Sequence, residues 1–272
     1  AHQAHGVGRA AAPGAARAPA RLLTSLRDDA GARLHLAKLS LLPLYVCGDE
    51  RARRLAAMHD FSIVAIFKGE GRHLIEWIEY HALLRADHFY LYTNDCARAA
   101  NRSADAVSSY VARGLVTLDR RLECRPPPVQ EAALRHAATH RASSYWLAHI
   151  DIDEFIVLAD PRASLPSAFA TFRGRAAMIA LPWRIFGTSG HRVSPAAPVI
   201  ASYPRRAKWR SPDWRTRSYK SVVHGGSCIQ SSVHSCARLK PGVPPYLWTP
   251  GGCRFAASNT TIPRRCRCHG PA

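Results

Sequence analysis

The run Phe61-Ser-Ile-Val-Ala-Ile-Phe67 constrains the fold more than any other stretch, because it is of strand length, almost wholly apolar and rich in β-branched side chains. A strand with one wet face alternates apolar and polar residues. A run without alternation suits an interior strand covered on both sides. It ends at the turn Lys68-Gly69-Glu70-Gly71. From Arg72 to Arg85, Leu74, Ile75, Ile78 and Ala82 fall on one helical stripe, with Trp77, His81 and Leu84 beside it. A second strand is predicted over His88–Asn94, a helix near Ala104–Arg113 and a third strand over Leu115–Leu118. The prolines Pro126–Pro128 precede a helix at about Gln130–Arg141, and a fourth strand runs from Tyr145 to Asp151. This β-α-β-α-β-α-β order predicts an α/β fold with a mostly parallel sheet and flanking helices. Ligands of nucleotide type bind such sheets beyond the carboxyl ends of the strands.

Charge bears on the partner. The formal charge is +19, from 38 Lys and Arg against 19 Asp and Glu. Residues 201–272 alone hold 13 basic and 1 acidic side chains, so most of the excess sits in the last quarter. Only five of the basic residues are lysine, at 38, 68, 208, 220 and 240, and 33 are arginine. That skew looks like compositional bias as much as a phosphate-binding face, and no Arg/aromatic recognition motif accompanies it, so no specific nucleic-acid partner is expected. The basic quarter leaves peripheral contact with a membrane surface as an expectation.

The ends read differently from the middle. Residues 1–20 have almost no large apolar side chain, which predicts a disordered lead without the apolar core of a signal peptide. Residues 21–60 form an unassigned N-terminal extension with short helices expected over Ala32–Leu42 and Glu50–Met58. The most apolar stretch, Leu39–Cys47, is far short of the ~18 residues of a membrane span and contains Pro43. Residues 236–272 are rich in Pro, Gly, Arg and Cys and show no period of 2 or 3.6, which predicts an irregular tail, non-native in origin and poor in core. Cys47, Cys96 and Cys124 sit in apolar or turn contexts and read as reduced thiols, which suits a soluble cytoplasmic protein. Cys266-Arg-Cys268-His269 lacks the paired spacing of a zinc site.

The sharpest chemical feature is Trp146-Leu-Ala-His-Ile-Asp151-Ile-Asp153-Glu154-Phe155. By strand alternation Asp151 and Asp153 share one side, while Ile152 points to the core. Two carboxylates at a strand end offer hard oxygen ligands for Mn2+ or Mg2+, and a divalent cation there neutralises a diphosphate leaving group.

Six blocks in order resemble glycosyltransferase family 92 and its bacterial family-2-like relatives: Phe61 to Glu70, Leu74 to His81, His88 to Asp95, Trp146 to Phe155, Leu181 to His191, and Lys220-Ser-Val-Val. The resemblance covers about residues 61–235 and implies a GT-A-type, Rossmann-like domain with irregular ends. It implies a nucleotide-sugar donor, with a UDP-sugar the family's suggestion, and inverting transfer to a glycan or glycolipid acceptor. It places Lys68, Glu70, Asn94, Asp95 and Gln130 on the donor side. Trp183, Phe186, Gly187 and His191 fall on the acceptor side, and Asp151 and Asp153 match the metal motif, with His234 completing the metal shell. One departure is Lys68-Gly69-Glu70, where the family usually has Lys-Asn-Glu. Another concerns the base that must take the acceptor's proton. The family's base is a downstream carboxylate, and Asp213 is the one acid after Asp160, so Asp213 is the expected base, with His191 as substitute.

Three other readings compete. A haloacid dehalogenase-type phosphohydrolase also ends a strand in D-x-D, with the first Asp as nucleophile. That family wants Thr or Val soon after the pair and a later Lys and acidic pair, whereas Glu154-Phe155 follows here and no acidic pair lies downstream. An anion-binding protein would use the basic C-terminal quarter. A degenerate transferase would keep the fold and donor site without turnover.

Overall fold

The structure, a computed structural model, describes residues 59–96, 103–140, 143–207, 218–232, 234–259 and 261–263. All belong to one compact unit, Asp49–Ala272. The predicted lead, the helices at Ala32–Leu42 and Glu50–Met58, Cys47, Asp213 and the Cys266-Arg-Cys268-His269 tract lie outside the described residues.

The apolar run forms β1 (His59–Phe67) at the centre of the sheet. It pairs in parallel with β2 (His88–Thr93) on one side and β4 (Ser144–His149) on the other, and β2 pairs in parallel with β3 (Val116–Asp119). Alternate side chains of β1 feed two cores, as expected for a strand covered on both faces. Phe61, Ile63, Ala65 and Phe67 join Trp77, Phe89 and Trp146, whereas Val64 joins Tyr92, Leu134, Ala137 and Leu147. The first core is roofed by α1 (Gly71–Leu83), through Leu74, Trp77 and Ile78, and by α2 (Ser108–Ala112), which follows a 3-10 turn at Ser103–Val107. The second is roofed by α3 (Val129–His140). Gly71 opens α1 against the Ser103 backbone, where an added Cβ would stand 2.9 Å from the Ser103 Cα.

Beyond β4 the architecture departs from the mostly parallel expectation. After α4 (Leu165–Phe169) and a 3-10 turn at Ala170–Phe172 come β5 (Met178–Pro182), α5 (Val199–Ser202) and β6 (Tyr219–His224). Strand β6 lies antiparallel between β4 and β5. The eight-stranded sheet is therefore mixed, in the order β10 (Arg254–Ala256), β9 (Tyr246–Trp248), β5, β6, β4, β1, β2, β3.

The expectation of an irregular tail fails as far as the described residues reach. Strands β7 (Cys228–Ser231) and β8 (Cys236–Leu239) form a separate hairpin, and β9 (Tyr246–Trp248) and β10 (Arg254–Ala256) extend the main sheet beside β5. Leu247, Phe255 and Ile262 are buried with Tyr219 and Met178. A three-residue strand that buries one side chain leaves no period in the sequence, which is why composition concealed it.

The thiol reading also needs correction. Cys96 is bonded to Cys124 with their Cα atoms 4.8 Å apart, Cys228 is bonded to Cys236, and Cys253 is disulfide-bonded as well. Strands β2 and β3 are parallel neighbours, so the loops leaving their carboxyl ends run side by side. That brings together cysteines 28 residues apart. Disulfides persist in oxidising compartments, so the cysteines give no support to a cytoplasmic location. Among the described residues no helix is long and apolar enough to cross a membrane.

Candidate active site

The chain leaves β1 for β2 and β3 on one side, then returns to β4 on the other, so the carboxyl ends of β1 and β4 flank the switch point of the parallel half. Open α/β sheets bind ligands in that crevice. Ile150 extends β4 by donating its N–H to the Val64 carbonyl at 3.3 Å, and the chain then turns. Glu154 N–H donates to the Asp151 carbonyl at 3.1 Å, and Asp151 N–H donates to Glu154 Oε2 at 2.8 Å. Ile152 is buried in the core, Asp153 is exposed and Asp151 is half-buried. The acid pair thus stands on a turn anchored by Ile152 rather than on a strand.

Helix α1 grips the chain leaving this turn. Trp77 Nε1–H donates to the Glu154 carbonyl at 2.8 Å, and Tyr80 O–H donates to the Ile156 carbonyl at 2.9 Å. Ile156 N–H donates to His81 Nε2 at 3.2 Å, while His81 Nδ1 bonds the Trp77 carbonyl at 2.8 Å. The proton therefore sits on Nδ1. The helical stripe of Trp77 and His81 is both core and clamp.

Asp151 is held at both oxygens. Gln130 Nε2, in the first turn of α3, donates to Oδ1 at 2.8 Å, and Lys220 Nζ, on β6, donates to Oδ2 at 2.6 Å. Lys220 is 3% exposed and lies 3.4 Å from Glu154 Oε2. Burial pushes the Glu154 carboxyl up to about 7; Lys220 opposes this, and the charges of Asp151 and Asp153 add to it. Glu70, at the end of β1, is also raised, first by burial and further by Asp153, Asp151 and Asp95, against a hydrogen bond from the Lys68 N–H. The ends of β1, β2 and β4 therefore share one electrostatic site.

The other residues expected on the donor side divide by role. Lys68 is exposed beside the site. Gly69 has φ +71, a left-handed conformation that Asn also tolerates, so Lys-Gly-Glu keeps the turn and removes one side chain. Its N–H donates to Asp95 Oδ1 at 2.8 Å, and Ser103 N–H donates to Asp95 Oδ2 at 2.9 Å. Asn94 Nδ2 donates to the Leu122 and Arg125 carbonyls, pinning one wall of a cavity of about 320 Å3 lined by Arg121, Pro126, Pro128 and Val129. Asn94 and Asp95 thus order the loops around the site.

On the other side, Trp183 follows β5 with its ring 5.8 Å from Lys220 Nζ and 5.8 Å from the His234 ring. His234 Nδ1 bonds the Tyr219 carbonyl at 3.0 Å, which leaves Nε2 its lone pair. Phe186 is 49% exposed, and Gly187 N–H donates to the Arg205 carbonyl at 3.0 Å. His191 belongs to a separate cavity of about 460 Å3, with Ser189, Pro195, Ser202 and Arg205. Its Nε2 bonds the Ser202 carbonyl at 3.0 Å. That segment is mounted on α1: Glu76 accepts from the Val199 and Ile200 N–H groups, and Arg72 donates to Ser194 Oγ.

Sequence reasoning assigned no role to Lys220 or Glu154. The available signal was a lysine kept in a chain of 33 arginines, and a third acid directly after the pair. Among the described residues no three His, Cys, Asp or Glu side chains converge as a metal cage. Mg2+-type sites are often completed by substrate phosphates on one or two carboxylates. Asp153, exposed at the switch point, fits that arrangement.

Two buried histidines make stability depend on acidity. Burial pushes the His81 and His149 rings from 6.5 down to about 4; the bond to Trp77 opposes the fall at His81, and the Lys220 charge adds to it at His149. Unfolded imidazoles protonate near 6.5, so between about pH 6.5 and 4 the unfolded chain binds more protons. Stability present above pH 6.5 is therefore lost as pH falls through that window, by on the order of 3 kcal/mol per ring. Thermal unfolding followed by circular dichroism should show this loss, with a shallower slope in His149→Gln; an unchanged slope removes His149 from the account.

Fold and site together define an α/β protein with an acidic centre at the switch point of its sheet. The profile of glycosyltransferase family 92 matches residues 64–250, and the chain belongs to that family. It is 27% identical over 155 residues to a glycosyltransferase family 92 protein of Ricinus communis, an alignment covering 54% of this chain and 26% of that relative. The chain thus spans about a quarter of that relative's length. The family match runs past His234 into β8 and β9, the region composition had set apart.

Proposed function

We propose that this chain transfers a sugar from a nucleotide-diphosphate sugar, a UDP-sugar by family expectation, to a glycan or glycolipid acceptor, with inversion, on a GT-A arrangement. The observation that carries the reading is the acid turn at the switch point, on which Asp153 is exposed while Asp151 is clamped by Gln130 and Lys220. Asp153, with the free Nε2 of His234, would hold Mn2+ or Mg2+. When bound, that ion supplies positive charge against the diphosphate leaving group. Lys68 and Glu70 border the donor at the end of β1. The cavity walled by Leu122 and Pro126 offers an apolar surface for a nucleoside. Trp183 and the exposed ring of Phe186 offer faces for the acceptor, whose proton goes to Asp213 or to His191.

Calorimetric titration of the chain with a panel of UDP- and GDP-sugars, with and without Mn2+, tests this. At least one donor should bind, and only with the metal. Metal-dependent binding to none of them would defeat the reading.

A further inference from the structure

A buried lysine on the first acid of the motif changes what that acid can do. Lys220 sits in β6, in register with Leu181 of β5, and β6 is flanked by β4 on its other side, so its backbone is fixed in the sheet. Its side chain is 4% exposed, its ammonium lies 2.6 Å from Asp151 Oδ2 and 3.4 Å from Glu154 Oε2, and the Trp183 ring closes over it. A buried ammonium without its carboxylate is strongly unfavourable, so the lysine has no alternative position as good as this one. Gln130 takes the other Asp151 oxygen. A dication on Asp151 would have to stand beside a fixed positive charge, and like charges at such separations repel strongly.

We propose that Lys220, with Gln130, withholds Asp151 from metal ligation, so that the divalent cation enters this site only together with a nucleoside diphosphate and leans on Asp153. Lys220 is then a positioning residue, which neutralises one member of the acid pair and leaves a single open carboxylate. Metal affinity falls with the charge count of the ligand set, and phosphate oxygens make up the deficit. The inference rests on the sugar-transfer reading, and its test separates the two.

The test follows the electron paramagnetic resonance signal of free Mn2+ with the full chain alone, with UDP and with GDP, against the same mixtures lacking protein. Wild type alone should leave Mn2+ free up to about 1 mM, and a nucleoside diphosphate should draw Mn2+ onto the protein. Lys220→Met should bind Mn2+ without nucleotide, at least about tenfold more tightly than wild type. That gain should vanish in Lys220→Met/Asp151→Asn, and Lys220→Arg should behave as wild type. A merely structural role would lose metal affinity, so the sign of the change is diagnostic. Micromolar Mn2+ binding by wild type alone, or no gain in a folded Lys220→Met, overturns the inference and leaves the sugar-transfer reading standing. If Lys220→Met does not fold, the wild-type and Lys220→Arg arms decide. Failure of both nucleotides to recruit Mn2+ to wild type overturns the reading and the inference with it.

Discussion

Asp153→Ala is expected to abolish Mn2+-dependent binding of nucleoside diphosphates while leaving the fold intact. Asp153 is exposed on the acid turn, and an exposed substitution of this kind changes stability by about 0.5 kcal/mol or less. Its carboxylate, however, is the one left open to a cation. Losing several kcal/mol of charge stabilisation at a leaving group corresponds to a fall in transfer rate on the order of 10^2- to 10^3-fold. Asp151→Ala should behave differently, because it leaves the ammonium of Lys220 beside Glu154 alone. Breaking a fully buried pair costs about 3–5 kcal/mol; with Asp151 38% exposed and Glu154 still present, a loss on the order of 2 kcal/mol is expected. Calorimetry with UDP and Mn2+, paired with urea unfolding, separates the two variants. Equal effects of both on stability would show that the two acids are not divided as described.

Trp77→Ala should give the largest loss of stability. Trp77 is fully buried, packs edge-on with His81 and tilted against Phe89, and holds the Glu154 carbonyl through its indole N–H. Truncating a buried Trp costs about 3–5 kcal/mol. That is a large share of the roughly 5–15 kcal/mol by which domains are stable. The urea midpoint should fall by the corresponding amount with the slope unchanged. Trp77→Phe keeps most of the volume but removes the N–H donor. It should lose about 1–2 kcal/mol and weaken Mn2+–UDP binding, because the exit of the acid turn is no longer clamped. Unaltered binding in Trp77→Phe would limit this residue to packing.

The centre of the sheet was legible because burial on both faces writes itself into composition. Phe61–Phe67 could serve only as a covered strand, and α1 showed its stripe at helical spacing. The acid pair was legible for a related reason: Asp-Ile-Asp at the end of an apolar run contrasts with its surroundings. The strands after β4 were not legible. Strands β7 to β10 are only three or four residues long, β8, β9 and β10 each bury one side chain, Cys236, Leu247 or Phe255, and the Arg and Pro around them mask any alternation.

By itself, then, the sequence determined an α/β core with carboxylates at the end of its fourth strand, because periodicity and polarity are local properties of the chain. Tertiary structure alone decided that Lys220 would meet Asp151 across 69 residues, that Cys96 would find Cys124, and that Asn94 and Asp95 would brace loops. Those pairings follow from which strand ends become neighbours in the sheet. That order is set by the summed packing of two cores and is recorded at no single position.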